Sequence, residues 1–314
     1  MAINKFMRAA LKAISYNDID VRNNYKVDRF LNTLTHLAFK PLYKTWDAQI
    51  KVDGYPLTVR SFSPKCRRSD EIILFFHGGG WVTGNIGNYT RTCAVLSNQT
   101  GRRVLSLNYR LAPEFPFPCA VQDCYQVAKR LFVEHLPLEV SDKEIILMGD
   151  SAGGNLAAVV SLMAAERGEF HVGRQILLYP LTYNDHSESS PFPSVQENGK
   201  DYLLTSKRLC DYSALYIRDQ QDKDSPYFAP LLSDHLIGQP HTLIVTAEFD
   251  PLRDEGEAYG EKLRQFGNEV QIYRMKDALH GFISLPPCFA QVKRCYQYIN
   301  AFLDGKGAYA EQLG

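Results

Sequence analysis

The sequence predicts an α/β fold, a mainly parallel central sheet with helices against both faces. Three observations carry that prediction. Short apolar runs recur along the chain, and longer segments with helical spacing separate them. The chain has 314 residues, 45% of them hydrophobic and 22% charged, enough to bury one large core. Residues able to do chemistry fall just after the apolar runs, where open α/β sheets hold their ligands.

Residues 1 to about 45 read as helical, with apolar positions at Phe30, Leu31, Leu34, Leu37 and Ala38. Within them, 1–14 spaces Lys5, Arg8 and Lys12 through an apolar pattern, which is an amphipathic helix and not a signal peptide. Segments 48–52 and 57–62 flank Asp53-Gly54, a turn pair that calls for antiparallel strands. Strands are then expected at 71–76, 103–108, 144–148, 175–179, 242–247 and 270–275. Helices are expected at about 88–99, 119–135, 152–167, 206–218, 253–266 and 289–303. Strand and helix in this alternation require a parallel sheet covered on both sides. Residues 182–232, with Pro191, Pro193, Pro226 and Pro230 around one helix, are too long for an ordinary crossover and read as a lid over the carboxyl edge of the sheet. The chain therefore divides into a helical segment 1–45 and a sheet domain 46–314, interrupted at about 182–232.

Lys plus Arg equals Asp plus Glu at 35 each, so no long-range field attracts nucleic acid or an anionic membrane. No run approaches the ~18 apolar residues of a membrane span. The seven cysteines are odd in number and scattered without zinc-like spacing. Free thiols in a reducing compartment follow, and the cytoplasm is the expected location. Neither a metal nor an organic cofactor is implied, and assembly with further copies stays open.

The most informative stretch is Gly149-Asp150-Ser151-Ala152-Gly153-Gly154, between the apolar run 144–148 and a helix rich in small residues. It sets one serine at a strand-to-helix turn, with glycines where Cβ atoms would clash. His77-Gly78-Gly79-Gly80-Trp81 follows the strand at 71–76, Asp250 the strand at 242–247, and His280 the strand at 270–275. A serine hydroxyl is a weak nucleophile, so Ser151 needs a base, and His280 is the candidate. Asp250 would accept the other imidazole N–H and fix the tautomer. Glu248 and Asp254 compete for that role, and Pro251 makes Asp250 a candidate helix cap as well. The backbone N–H groups of Gly78, Gly79 and Ala152 are the candidate donors to an oxyanion.

At these residues the chain resembles the hormone-sensitive-lipase-like branch of the α/β-hydrolases, which includes many microbial carboxylesterases and acetyl esterases. The likeness runs from about residue 70 to the last helix. It rests on the two glycine motifs, Tyr109-Arg110-Leu111-Ala112-Pro113-Glu114, Asp250-Pro251-Leu252-Arg253-Asp254-Glu255-Gly256 and His280-Gly281-Phe282. It implies an α/β-hydrolase fold, a triad of Ser151, Asp250 and His280, and an oxyanion hole of Gly78, Gly79 and Ala152. It also implies a cap built from the N-terminal helices and the insertion. Arg110 and Glu114 are expected to hold the glycine loop, His77 to brace it, and Asp150 to bond nearby backbone. Ala229-Pro230 departs from the family's usual Ser-Pro and bears on the lid's footing.

The insertion is rich in aromatic and aliphatic side chains and lacks a cluster of cations, which suits a small, fairly apolar ester. Trp81, Tyr202, Leu203 and Tyr212 are the candidate substrate contacts, with fewer than half of the insertion's aromatics expected to touch ligand. The expected activity is a serine carboxylesterase for short- to medium-chain esters, working through an acyl-Ser151 intermediate. Two rivals stand beside it: an amidase or deacetylase with the same triad, and a catalytically silent small-molecule receptor, which the presence of His280 disfavours.

Overall fold

The computed structural model describes residues 20–37, 45–134 and 145–306, with backbone alone for 31–37. The helix read at 1–14 lies outside them. Eight strands form one sheet: β1 (Thr45–Val52), β2 (Tyr55–Phe62), β3 (Ile72–Phe76), β4 (Arg103–Asn108), β5 (Ile145–Asp150), β6 (Arg174–Leu178), β7 (His241–Phe249) and β8 (Val270–Leu279). Their spatial order is β1-β2-β4-β3-β5-β6-β7-β8. β2 pairs antiparallel with both β1 and β4, and β4 onward is parallel throughout.

Alternation along the central strands divides the core in two. Ile72, Leu74 and Phe76 of β3 join Ile145 and Leu147 of β5 on one face, while Ile73, Phe75, Ile146 and Met148 enter the other. Strands buried on both sides must be apolar at every position, hence the unbroken runs in the sequence. Helices α1 (Val21–Leu37), α2 (Thr90–Thr100), α3 (Cys119–Lys129), α4 (Ala152–Arg167), α5 (Pro193–Asn198), α6 (Ser206–Tyr216), α7 (Arg253–Gln265) and α8 (Ala290–Leu303) complete the described elements, with short 3-10 turns. α4 is buried along nearly its whole length, which its small residues permit.

The structure departs from the sequence reading in three places. The insertion holds two helices, because Pro193 starts the short α5 and Gly199 ends it, packed so close to Ser206 that a Cβ could not fit. The helix expected at 119–135 changes at Arg130 into a single π-helical turn, Arg130–Glu134. Strands β7 and β8 run past their predicted ends, and a bulge in β8, where Met275 to Leu279 face Ala247 to Phe249, brings Leu279 opposite Phe249. That last pair carries Asp250 and His280, the residues that follow each strand, to one place.

Two charged side chains from the Tyr109–Glu114 motif serve ends other than the one expected. Arg110 turns away from the glycine loop to Asp123 of α3, donating through its backbone N–H at 2.9 Å and its Nη2 at 2.6 Å. Glu114 accepts both terminal nitrogens of Arg29 at 2.9 Å. Arg29 also donates to the carbonyls of Val82 and Ala112 at 2.7 and 2.6 Å, so α1 is pinned beside the glycine loop. Asp123 is fully buried, and Arg110 depends on it. Asp123→Ala is expected to lower unfolding free energy by about 3 kcal/mol, read from the denaturant midpoint, because it strands the guanidinium and one backbone N–H.

Candidate active site

Ser151 sits between β5 and α4 with φ +55° and ψ −123°, a conformation that side chains seldom adopt. The chain permits it by removing bulk on either side. A Cβ on Gly149 would come within 2.1 Å of the Gly153 carbonyl oxygen, and one on Gly153 within 2.0 Å of that of Phe76. The backbone is locked by hydrogen bonds from Ser151 N–H to the Leu178 carbonyl at 2.9 Å and from Asn155 N–H to the Ser151 carbonyl at 3.0 Å. The hydroxyl is thereby lifted above the sheet's carboxyl edge.

There it meets an imidazole. Ser151 Oγ lies 2.9 Å from His280 Nε2, and His280 Nδ1 lies 2.7 Å from Asp250 Oδ2. Asp250 is fully buried, whereas His280 retains some exposure toward the cavity. The other Asp250 oxygen accepts the Leu252 N–H at 2.9 Å, so the residue is both a turn cap and the imidazole's partner. Its competitors are engaged elsewhere: Glu248 accepts the Asp277 N–H, and Asp254 takes the Ser194 N–H and Arg253. With Nδ1 holding its proton against Asp250, Nε2 is left as the acceptor for the serine hydroxyl.

The donors around the hydroxyl differ from the sequence expectation in one member. The Gly78 N–H points at Asp150 Oδ1, 2.9 Å away, and at the Tyr89 hydroxyl, so it is spent inside the fold. Gly79 and Gly80 line the cavity instead, along with Ser151 and His280. Ala152 opens α4, where an N–H has no partner in the preceding turn. The third glycine was the available signal for Gly80. Its φ of +60° and the Tyr212 ring, 2.5 Å from where a Cβ would be, leave room for glycine alone.

Asp150 ties this loop down from beneath. Its second oxygen accepts the Tyr89 hydroxyl at 3.0 Å and the Tyr179 hydroxyl at 3.4 Å. Burial pushes its carboxyl up to about 6, with the Tyr89 hydrogen bond, the charge of His280 and the Gly78 N–H acting against that rise. His77 is buried too, stacked on Tyr109 at 4.3 Å, with Nδ1 2.9 Å from the Gly78 carbonyl. It braces the loop, and desolvation lowers its pKa to about 4.

A cavity of about 240 Å³ opens over Ser151. Leu203 and Tyr212 line it as the sequence suggested, joined by Leu181, Leu204, Arg208 and Leu209. Trp81 and Tyr202 do not. Trp81 is wholly buried and stacked on Tyr216 at 4.5 Å, and Tyr202 is stacked on Phe249 at 5.0 Å. Large aromatic rings gain most from burial, and these two find it by packing on other rings.

A family model described as alpha/beta hydrolase fold matches residues 73–284, a span that takes in the serine turn, the glycine loop, Asp250 and His280. The chain belongs to the hormone-sensitive-lipase-like family of alpha/beta hydrolases. Among the relatives of this hydrolase is an arylesterase of Saccharolobus solfataricus, 36% identical over 253 residues, covering 80% of this chain and 81% of that one. An ethyl acetate hydrolase of Pseudomonas putida is 32% identical over 74% of this chain and 73% of its own length. A solved hyperthermophilic esterase from Pyrobaculum calidifontis superposes with a TM-score of 0.86 at 34% identity, covering 97% of this chain and 99% of that one. No described helix of the hydrolase is long and apolar enough to cross a membrane.

The depressed His77 has a consequence for stability. Unfolded, an imidazole gains its proton below about 6.5, whereas the folded one stays neutral until about pH 4. Wild type is therefore expected to lose stability relative to His77→Asn as pH falls from 6.5 to 4, by on the order of 3 kcal/mol. Asp150, raised by burial, binds its proton earlier when folded and opposes this trend in both proteins, so the difference between their denaturant curves isolates His77.

Proposed function

We propose that this carboxylic ester hydrolase uses Ser151 as nucleophile, His280 as general base and then acid, and Asp250 as the group that holds and stabilises the imidazolium. Ser151 Oγ bonds the ester carbonyl carbon as its proton passes to His280 Nε2. The carbonyl oxygen becomes an oxyanion, received by the backbone N–H groups of Gly79, Gly80 and Ala152. Collapse breaks the carbon–oxygen bond to the alcohol, which leaves with the proton from His280. Water then gives a proton to His280 and its oxygen to the acyl carbon, and Ser151 regains its hydrogen as the carboxylic acid departs. No step requires a metal or an organic cofactor.

The observation that carries this reading is the unbroken run of contacts from Asp250 through His280 to Ser151, at 2.7 and 2.9 Å, facing a cavity walled by two glycines of the loop. Arylesterase and ethyl acetate hydrolase relatives support ester over amide substrates. A cavity of about 240 Å³ falls below the ~300–1,000 Å³ usual for drug-sized ligands, which favours short and medium acyl chains. In this assignment α1 and the insertion act as the cap. The scattered cysteines favour the cytoplasm.

Ser151→Ala and His280→Ala are each expected to reduce kcat on a small 4-nitrophenyl ester on the order of 10⁴-fold or more, with the fold intact by circular dichroism. Retention of a tenth of the rate would show that the nucleophile or base lies elsewhere. Across 4-nitrophenyl esters of rising acyl length, kcat/KM should peak at short to medium chains. A maximum reached only with long-chain emulsified triglycerides would contradict the cavity assignment.

A further inference from the structure

A second cavity, of about 460 Å³, opens between α5 and α6. Among the described residues it shares no wall residue with the cavity over Ser151, because α6 gives Arg208, Leu209 and Tyr212 to that one and Ser206, Lys207 and Cys210 to this. Its other wall is α5, which cannot lean in to fill it. Val195 and Gln196 line the cavity, while Ser194 Oγ donates to the Pro251 carbonyl at 2.8 Å and Asn198 Nδ2 to the Asp250 carbonyl at 3.3 Å. The space is pre-formed, and its volume lies within the ~300–1,000 Å³ usual for small-molecule sites.

His186, in the same wall, holds an acceptor that the fold leaves unused. It keeps only 2% of its surface exposed, and its Nε2 lies 2.8 Å from Glu255 Oε2. The other oxygen of that fully buried carboxylate accepts the Thr182 and Tyr183 N–H groups at 2.6 and 3.1 Å, so Glu255 acts purely as an acceptor and Nε2 carries the imidazole proton. Nδ1 is then an acceptor, and no described residue donates to it. The neighbouring polar side chains are engaged: Ser187 with Ser189, Gln196 with the Ser190 carbonyl and Ser206 with the Val195 carbonyl. Charge is balanced, since Lys207 Nζ meets Asp211 at 2.5 Å and Glu188 stands in the same wall as Lys200. Val195, Cys210 and the bare backbone of Gly199 supply the apolar surface. One acceptor, no surplus charge and an apolar body call for a neutral hydroxyl compound. We propose that this cavity is a second binding site, for an aromatic or alicyclic alcohol whose hydroxyl donates to His186 Nδ1. Ester hydrolysis releases alcohols, so the occupant belongs to a product class of the enzyme. Nothing in the site depends on which side chain is the nucleophile.

Fluorine NMR titration of 4-fluorobenzyl alcohol into enzyme whose Ser151 has been capped by a phosphonate tests it, with 4-fluorobenzyl methyl ether as the probe that cannot donate. The alcohol should bind about tenfold more tightly than the ether, as befits one hydrogen bond to a buried acceptor. His186→Asn should bring the two probes to equal affinity. Cys210→Trp, which fills the cavity, should remove alcohol binding while the uncapped variant turns over a 4-nitrophenyl ester as wild type does. Lys200→Trp, at an exposed turn, closes the same space and decides the matter if Cys210→Trp does not fold. If His186→Asn does not fold, the wild-type ratio of alcohol to ether carries its point. Equal affinity for alcohol and ether in wild type, or alcohol binding that survives both tryptophans, would overturn the proposal. Failure of the phosphonate to label Ser151 would instead count against the triad, and the two tryptophan variants would still locate the bound alcohol.

Discussion

The backbone of Ser151 is held where few residues with a side chain rest, and the remainder of the site is arranged around that one turn. Such a conformation costs on the order of 1–3 kcal/mol and persists only when its surroundings leave no alternative. Here β5 and the buried α4 meet through Gly149 and Gly153, each touching backbone at distances that exclude any Cβ. Relaxing the serine would require separating strand from helix, and with them the two core layers that β5 joins. The strain is stored where a buried helix meets a buried strand, with little room to dissipate.

Bringing a carboxylate and an imidazole to that serine is a matter of strand length. β7 and β8 end on the paired residues Phe249 and Leu279, so Asp250 and His280 emerge side by side from neighbouring strands. The irregularity in β8, where Met275 to Leu279 face Ala247 to Phe249, sets the phase of that exit. Asp250 then spends one oxygen on the start of the next helix and the other on the imidazole, so the same hydrogen bond that shapes the turn also aims the carboxylate. Beneath them, Asp150 does the equivalent for the glycine loop, joining Gly78, Tyr89 and Tyr179 around a buried carboxylate.

Much of this was legible before any coordinates. Strands buried on both faces require continuous apolar runs, and every predicted strand appears, because few other segments can satisfy that demand. Ser151, Asp250 and His280 were legible because each follows such a run. What escaped was decided by contacts between distant parts of the chain. Gly78 and Gly80 are indistinguishable in sequence, and only the approach of Asp150 and Tyr89 reveals which N–H is consumed. Trp81 and Tyr202 have the composition of ligand contacts, but their partners Tyr216 and Phe249 lie far along the chain. Arg110 finds Asp123 of α3, a partner thirteen residues on that the motif itself does not contain.

Trp81 carries a last implication. Its indole lies nearly parallel to the Tyr216 ring, at 8°, and close to Phe228, so it rivets the end of α6 and the following loop to the end of the glycine motif. The glycine loop and the 182–232 insertion thus share one aromatic contact surface. Leu203, a residue of the cavity wall, stands partly in solvent with a left-handed backbone.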